Sequence, residues 1–322
     1  MNRVFSKIAL VSFVATTVAP ATTSAETSKV PGWVTAKPST ETQTQTTAKE
    51  RGTNPCDTPD PGFGVYGTWH RDVRFGQYLM PIRGGIRTDG SFDVMFHFHG
   101  HEAVRKEWVK VMDGAVFASV DLGIGSGAYE STFQDPSAFS EYLNSVERAV
   151  AKATGKPKAH ARHIGLSAWS AGYGAILRIL EQPLGRRIDT VVLLDGLHAG
   201  YVDGHVNGLQ IRSLIDFAKD AVHDKKFFFF SHSSIIPPGY ASTTETANFL
   251  VWSVQGKPKR FRKSRPAALG LELITMFDRG SMHTRGYRGN DKMDHCAHIG
   301  LYPEILKLQI KPRWKSPRGR NH

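Results

Sequence analysis

From residue 74 onward the apolar positions switch repeatedly between short β-type runs and longer stretches at helical spacing. Residues 75–87 (FGQYLMPIRGGIR) read as strand and turn, SFDVMFHFHG (91–100) as a strand entering a glycine turn, and GAVFASVDLGIGSG (114–127) as a strand ending in a glycine-rich loop. Within 137–154, Phe139, Leu143, Val146 and Val150 recur three or four apart, which predicts an amphipathic helix. ARHIGLSAWS (161–170) is the next strand and AGYGAILRILEQ (171–182) the helix after it. A buried strand at 188–196, a helix around 208–221, strands at 225–234 and 272–280, and a closing helix at 297–310 complete the series. Strands separated by helices predict a mostly parallel central sheet with helices on both faces, a three-layer α/β sandwich. No internal repeat interrupts this order.

The ends of the chain have a different character. Arg3 and Lys7, the apolar run Ile8–Val18 and the small residues Thr23, Ser24 and Ala25 have the layout of a secretory signal, so residues 1–25 are expected to direct export. An uncleaved membrane anchor is the rival, although the run is short for a span. Residues 26–55, rich in Thr, Ser, Lys and Pro, offer little to bury and are expected to form a disordered linker. The folded domain should then occupy 56–312, followed by a basic tail at 313–322. The formal charge is +12, falling to about +10 without Arg3 and Lys7, and basic residues concentrate at 257–265 and 311–320. Such runs suit an anionic wall polymer or polysaccharide surface. The pattern argues against nucleic acid as a partner, since no nucleic-acid motif accompanies the charge. Two cysteines occur, Cys56 and Cys296; in an exported chain they form one disulfide or stand as two unrelated thiols.

In a parallel sheet the chemistry gathers at the carboxyl ends of the strands. Here those positions hold Gly100, Gly123, Ser170, Asp195, Ser231 and the loop after 277. A serine attacks only when a base takes its proton and donors receive the oxyanion. A sharp strand-to-helix turn lifts the hydroxyl clear of the sheet, and crowding there demands small residues two before and two after. Ser170 meets this with Ala168 and Gly172, whereas Ser167 is followed two residues later by Trp169. The bland alternative is a tight packing turn.

With Ala168-Trp169-Ser170-Ala171-Gly172 as its elbow, the sequence resembles the α/β-hydrolase superfamily over roughly 75–310, with alanine where the first glycine is usual. The resemblance implies a serine esterase or related acyl hydrolase with no organic cofactor. It implies an oxyanion hole from the amide of Ala171 and one from the His99-Gly100-His101 turn, with Gly100 or His101 as donor. It also implies an acid, and 225–234 supplies no carboxylate before Glu245. The other place the resemblance implies for the acid is the end of the strand after the elbow helix, which holds Asp195; Asp203 is second. The base should come late, from His295 or His298; His295 is nearer the loop and His298 would pack beneath. Asp294 is expected to cap the closing helix. His99, Tyr129, Trp169, His232 and Tyr240 are candidates to line the substrate, a small-molecule or polymer ester.

Two other classes compete. In HFHGH, His97, His99 and His101 alternate along a strand and so share one side; two of them with His295, His298 or Asp195 would form a zinc site activating water. That assignment leaves the Ser170 turn without a task. The other is a non-catalytic exported domain that binds a wall polymer.

Overall fold

The computed structural model describes residues 40–262 and 266–315. The signal-like residues 1–25, the linker up to 39, part of the 257–265 basic run and the tail from 316 lie outside the described residues. The strands are β1 (Gln77–Leu79), β2 (Ser91–Phe98), β3 (Val116–Val120), β4 (His160–Trp169), β5 (Thr190–Leu194), β6 (Tyr201–Val202), β7 (His205–Val206), β8 (Phe227–Ser233), β9 (Lys259–Arg260), β10 (Leu273–Arg279) and β11 (Met282–Tyr287). The helices are α1 (Gln43–Arg51), α2 (His101–Trp108), α3 (Ser126–Phe133), α4 (Ala138–Thr154), α5 (Tyr173–Glu181), α6 (Arg212–Ala221), α7 (Thr243–Ser253), α8 (Lys292–Ala297), α9 (Tyr302–Ile305) and α10 (Lys311–Lys315).

Nine strands form one sheet in the order β1-β3-β2-β4-β5-β8-β11-β10-β9, and β6 and β7 make a separate hairpin. The six strands from β3 to β11 run parallel, while β1, β10 and β9 join antiparallel at the edges. Strand pleating divides the apolar runs between two cores. Phe228 and Phe230 of β8 face one side with Ile164, Leu166, Ile176, Leu214 and Leu250. Phe227 and Phe229 face the other with Trp108, Tyr302, Ile305 and Trp314. Helices α3–α7 therefore cover one face, and α2 with the α8–α10 segment covers the other. The expected three-layer α/β sandwich is the fold observed.

Several boundaries differ from expectation. Residues 43–51, expected within a disordered linker, form α1. Its Thr42–Gln45 capping box satisfies the helix start, and Thr42 and Thr44 are buried. This helix is polar, so apolar composition does not report it; hydrogen bonds and a covalent link hold it instead. Thr42 Oγ1 donates to Asp294 Oδ1 at 2.7 Å, and Cys56 is bonded to Cys296. Lys311–Lys315, across the expected start of the basic tail, is helical and buries Trp314 at 2% exposure. The glycine-rich loop after β3 gives way to α3 at Ser126. Strand β11 had no clear sequence signal: MHTRGY is mostly polar, and it is a strand because it pairs with β8 and β10.

Candidate active site

Strand β4 ends with Trp169 in extended conformation, and Ser170 follows at φ +49°. A non-glycine residue there carries a strain of about 1–3 kcal/mol, which its surroundings must hold in place. Two glycines make the room. A Cβ on Gly172 would stand 2.0 Å from Phe98 O, and one on Gly196 would stand 2.1 Å from Ser170 O. The elbow thus packs directly on the ends of β2 and β5. Ala168, in the usual glycine place, is fully buried and fits there. Ser170 itself is half-buried and opens into two adjoining cavities.

The smaller cavity, about 320 Å³, is lined by Ser170, Asp195, His198, Thr243, Tyr240 and His295 among others. Asp195 follows β5 at φ +45° and is 2% exposed. Its Oδ1 accepts from Ser233 N at 2.7 Å and Thr243 Oγ1 at 2.8 Å, and its Oδ2 lies 2.7 Å from His295 Nδ1. Burial alone would push this carboxyl up, but His298, His295 and Thr243 outweigh it and hold the group well below the usual carboxylate range. An ionised acceptor requires a proton on His295 Nδ1, and the neutral ring with that proton carries its lone pair on Nε2. Nε2 has no hydrogen-bond partner among the described residues.

His298 lies deeper. It is fully buried, its Nδ1 pairs with Ser231 Oγ at 2.9 Å, and burial holds its pKa down at about 4. Of the two late histidines, only His295 reaches the cavity. Asp203 sits exposed in the β6–β7 turn, away from both. Asp294 is the third residue of a capping box whose N-cap is Asp291, so it contributes to the cap from inside the helix. Cys296 follows His295 directly, and its disulfide with Cys56 ties α8 to the amino-terminal segment.

The 99–101 turn departs from expectation. The amide of Gly100 donates to Asp121 Oδ2 at 2.9 Å, so it is already occupied. Gly100 and His101 line a separate cavity with Cys56 and Glu102, whereas Ala171 lines the Ser170 cavity. The described geometry therefore brings one of the expected oxyanion donors, Ala171, to the site. Asp121 also takes His101 Nδ1 at 3.2 Å and the Tyr129 hydroxyl at 3.2 Å; His101, then His99, hold its carboxyl far below its ordinary value. Asp121 braces this turn and was not singled out from sequence. It follows β3, so the carboxyl-end rule could have found it.

His97, His99 and His101 do not share a face, because His99 leaves the strand at φ +71°. His97 is fully buried. Its Nε2 donates to His99 O at 2.7 Å, and its Nδ1 accepts from Ser167 Oγ, which in turn accepts from Tyr302 OH at 2.9 Å. Both ring nitrogens are engaged, which removes His97 from the expected zinc site. Among the described residues no three His, Cys, Asp or Glu side chains converge as metal ligands.

Of the expected substrate-lining residues, His99 and Tyr240 line the larger, 710 Å³ cavity beside Ser170. Tyr129 and His232 do not. Tyr129 is fully buried in α3 with its hydroxyl on Leu122 N, and His232 is buried in β8 against Thr244 Oγ1 at 2.9 Å. Both belong to regular elements that turn them toward the interior rather than to a substrate. Trp169 stacks between His99 and His295, at 5.1 and 4.9 Å between ring centroids, and lines neither cavity. His198, Thr243 and Ser233 were missed; the Ser242–Glu245 capping signature could have flagged the helix that carries Thr243.

No protein-family model and no curated protein matches the chain. Solved structures with a similar course include a cold-adapted esterase from an Arctic intertidal metagenomic library, at 13% identity, covering 77% of this chain and 96% of that one with a TM-score of 0.39. Est1E from Butyrivibrio proteoclasticus is similar at 13% identity, covering 79% of this chain and all of that one (100%) with a TM-score of 0.36. An acetyl xylan esterase from Aspergillus awamori is similar at 13% identity, with coverages of 69% and 93% and a TM-score of 0.39. Identity and superposition at this level carry no function. The sheet order, the left-handed serine after the central strand, and a late histidine bonded to an acid after the neighbouring strand together give the chain an α/β-hydrolase fold.

Proposed function

We propose that the chain is a serine hydrolase acting on carboxylic esters, with Ser170 as nucleophile, His295 as base and Asp195 as the acid that orients it. The observation that carries this reading is the His295 Nδ1–Asp195 Oδ2 contact of 2.7 Å, made where His295 and Ser170 line the same cavity. Ser170 Oγ attacks the acyl carbon while its proton passes to His295 Nε2, and the imidazolium is held by the Asp195 carboxylate. The Ala171 amide, at the start of a helical turn and without an intrahelical acceptor, faces the developing oxyanion. Collapse breaks the bond to the alcohol oxygen, which takes the proton from His295. Water then releases the acyl group from Ser170 through the same base.

A fluorophosphonate label tests the reading directly. Wild type should be labelled at Ser170, and Ser170→Ala should lower kcat on short-chain esters by roughly 10³-fold or more. Undiminished turnover in Ser170→Ala rejects the mechanism. We also propose that the chain acts outside the cytoplasm; the Cys56–Cys296 bridge, which suits an oxidising compartment, and the signal-like residues 1–25 support this reading. Fractionation of expressing cells checks this. The positive surplus supports contact with an anionic wall polymer, for which salt-sensitive co-sedimentation is the test.

A further inference from the structure

His198 stands at the junction of the two cavities, lining both together with Ser170 and Tyr240. Its Nδ1 lies 2.8 Å from Ala241 O. A carbonyl only accepts, so the ring proton is on Nδ1 and Nε2 is a lone pair. Burial, opposed by the Ala241 carbonyl, lowers its pKa, which keeps the ring neutral. No described residue donates to Nε2. Tyr173 and Tyr240 hold the ring edge-on, at 5.9 and 4.9 Å between centroids. The result is a fixed neutral acceptor beside the candidate nucleophile.

Beyond His198 the larger cavity runs along α5, where Tyr173, Leu177 and Glu181 line it at four-residue spacing over about 12 Å. Its walls carry both kinds of hydrogen-bonding group. Arg178 pairs with Glu130 at 3.3 Å and Glu181 at 3.1 Å, and Gln210 Oε1 accepts from Gly200 N, which leaves the Gln210 amide N–H groups for a ligand. Two carboxylates against one guanidinium disfavour a polyanion here. A long acyl chain would strip water from Glu130, Arg178, Glu181 and Gln210 without replacing its hydrogen bonds. Tyr240, 43% exposed at the rim, offers a flat face for stacking.

We infer that this groove receives the alcohol part of a hydroxyl-rich, carbohydrate-like ester, and that His198 Nε2 accepts a hydrogen bond from a hydroxyl near the ester oxygen. The inference rests on Ser170 being the nucleophile, and it adds the substrate class and a specificity residue. A site built to bond a hydroxyl discriminates strongly against the analogue lacking it.

The test compares kcat/KM for a monoacetylated methyl pyranoside and its deoxy analogue, which lacks the neighbouring hydroxyl, with fluorophosphonate labelling in parallel. Wild type should favour the hydroxylated ester at least tenfold. His198→Phe should reduce that ratio to within about threefold, and His198→Gln, which keeps a carbonyl acceptor, should retain part of it. The unacylated oligosaccharide should perturb the His198 resonances of Ser170→Ala in NMR titration. Labelling of Ser170 with a ratio near one, with preference for long-chain acyl esters, or with no perturbation at His198 overturns this inference alone. Failure to label Ser170 overturns the hydrolase reading as well.

Discussion

Lowering the pH from 7 to 5 should remove much of the stability of this domain, through three histidines that fold in neutral form. His97, His232 and His298 are fully or almost fully buried, and burial lowers their pKa values from 6.5 to about 3, 3 and 4. Each ring is also used. His97 bridges Ser167 and the His99 carbonyl, His232 meets Thr244, and His298 meets Ser231. The unfolded chain takes up a proton on each ring near pH 6.5, while the folded chain does not until well below pH 5. Stability therefore is fully present above 6.5 and is lost as the pH falls towards the folded values. One ring contributes about 1.4 kcal/mol per pH unit inside that window, so three contribute roughly 6 kcal/mol by pH 5. The whole domain is stable by only about 5–15 kcal/mol.

Urea unfolding followed by tryptophan fluorescence at pH 7, 6 and 5 measures this effect. The midpoint should fall steeply below pH 6.5 with an unchanged slope in denaturant, accompanied by proton uptake on unfolding. Asp195 acts in the same direction at lower pH, since its depressed carboxyl loses its contribution only as the pH falls through the acid range. A midpoint that stays constant from pH 7 to 5 would refute the assignment of these rings as neutral in the folded state.

Reduction of Cys56–Cys296 should cost about 2–5 kcal/mol and lower kcat through His295 on the same helix, measured by melting and ester turnover with and without reductant. Replacing Thr42 with Val leaves the buried Asp294 carboxylate short of a donor and should destabilise by about 1–3 kcal/mol in urea titration. Trp314→Ala should cost about 3–5 kcal/mol, whereas a solvated tail would show no change in Tm. Gly196→Ala places a methyl against the Ser170 carbonyl and should slow fluorophosphonate labelling in protein that still folds.

The layered sheet was legible because pattern and burial agree. Phe139, Val146 and Val150 lie on the core face of α4, and the run Phe227–Phe230 divides between two cores as a doubly covered strand requires. The elbow was legible for a steric reason: Gly172 must approach Phe98 O, and small residues are the only ones that fit. The pairing of His295 with Asp195 was expected only from the family resemblance; the two meet because β5 lies beside β4 and α8 brings His295 to Asp195. None of these needed a contact that the sequence hides.

What was not legible depends on polar partners distant in the chain. Composition placed 43–51 in disorder because it weighs apolar burial alone, whereas α1 is held by Thr42 on Asp294, Gln45 on Asn290 and Cys56 on Cys296, each partner some 240 residues or more away. The 99–101 turn failed in the same way. Asp121 takes the Gly100 amide, so a motif that would supply an oxyanion donor is used to hold its own turn. His198 was passed over although it lies three residues after Asp195, because nothing local reveals that Ala241 O fixes its tautomer. A hydrogen bond is cheap to satisfy in water and expensive to leave unmade when buried, so the fold recruits whichever donor its topology delivers. Local sequence can therefore announce where chemistry gathers, while the tautomers and donor assignments that decide the chemistry arise only once the strands have been brought side by side.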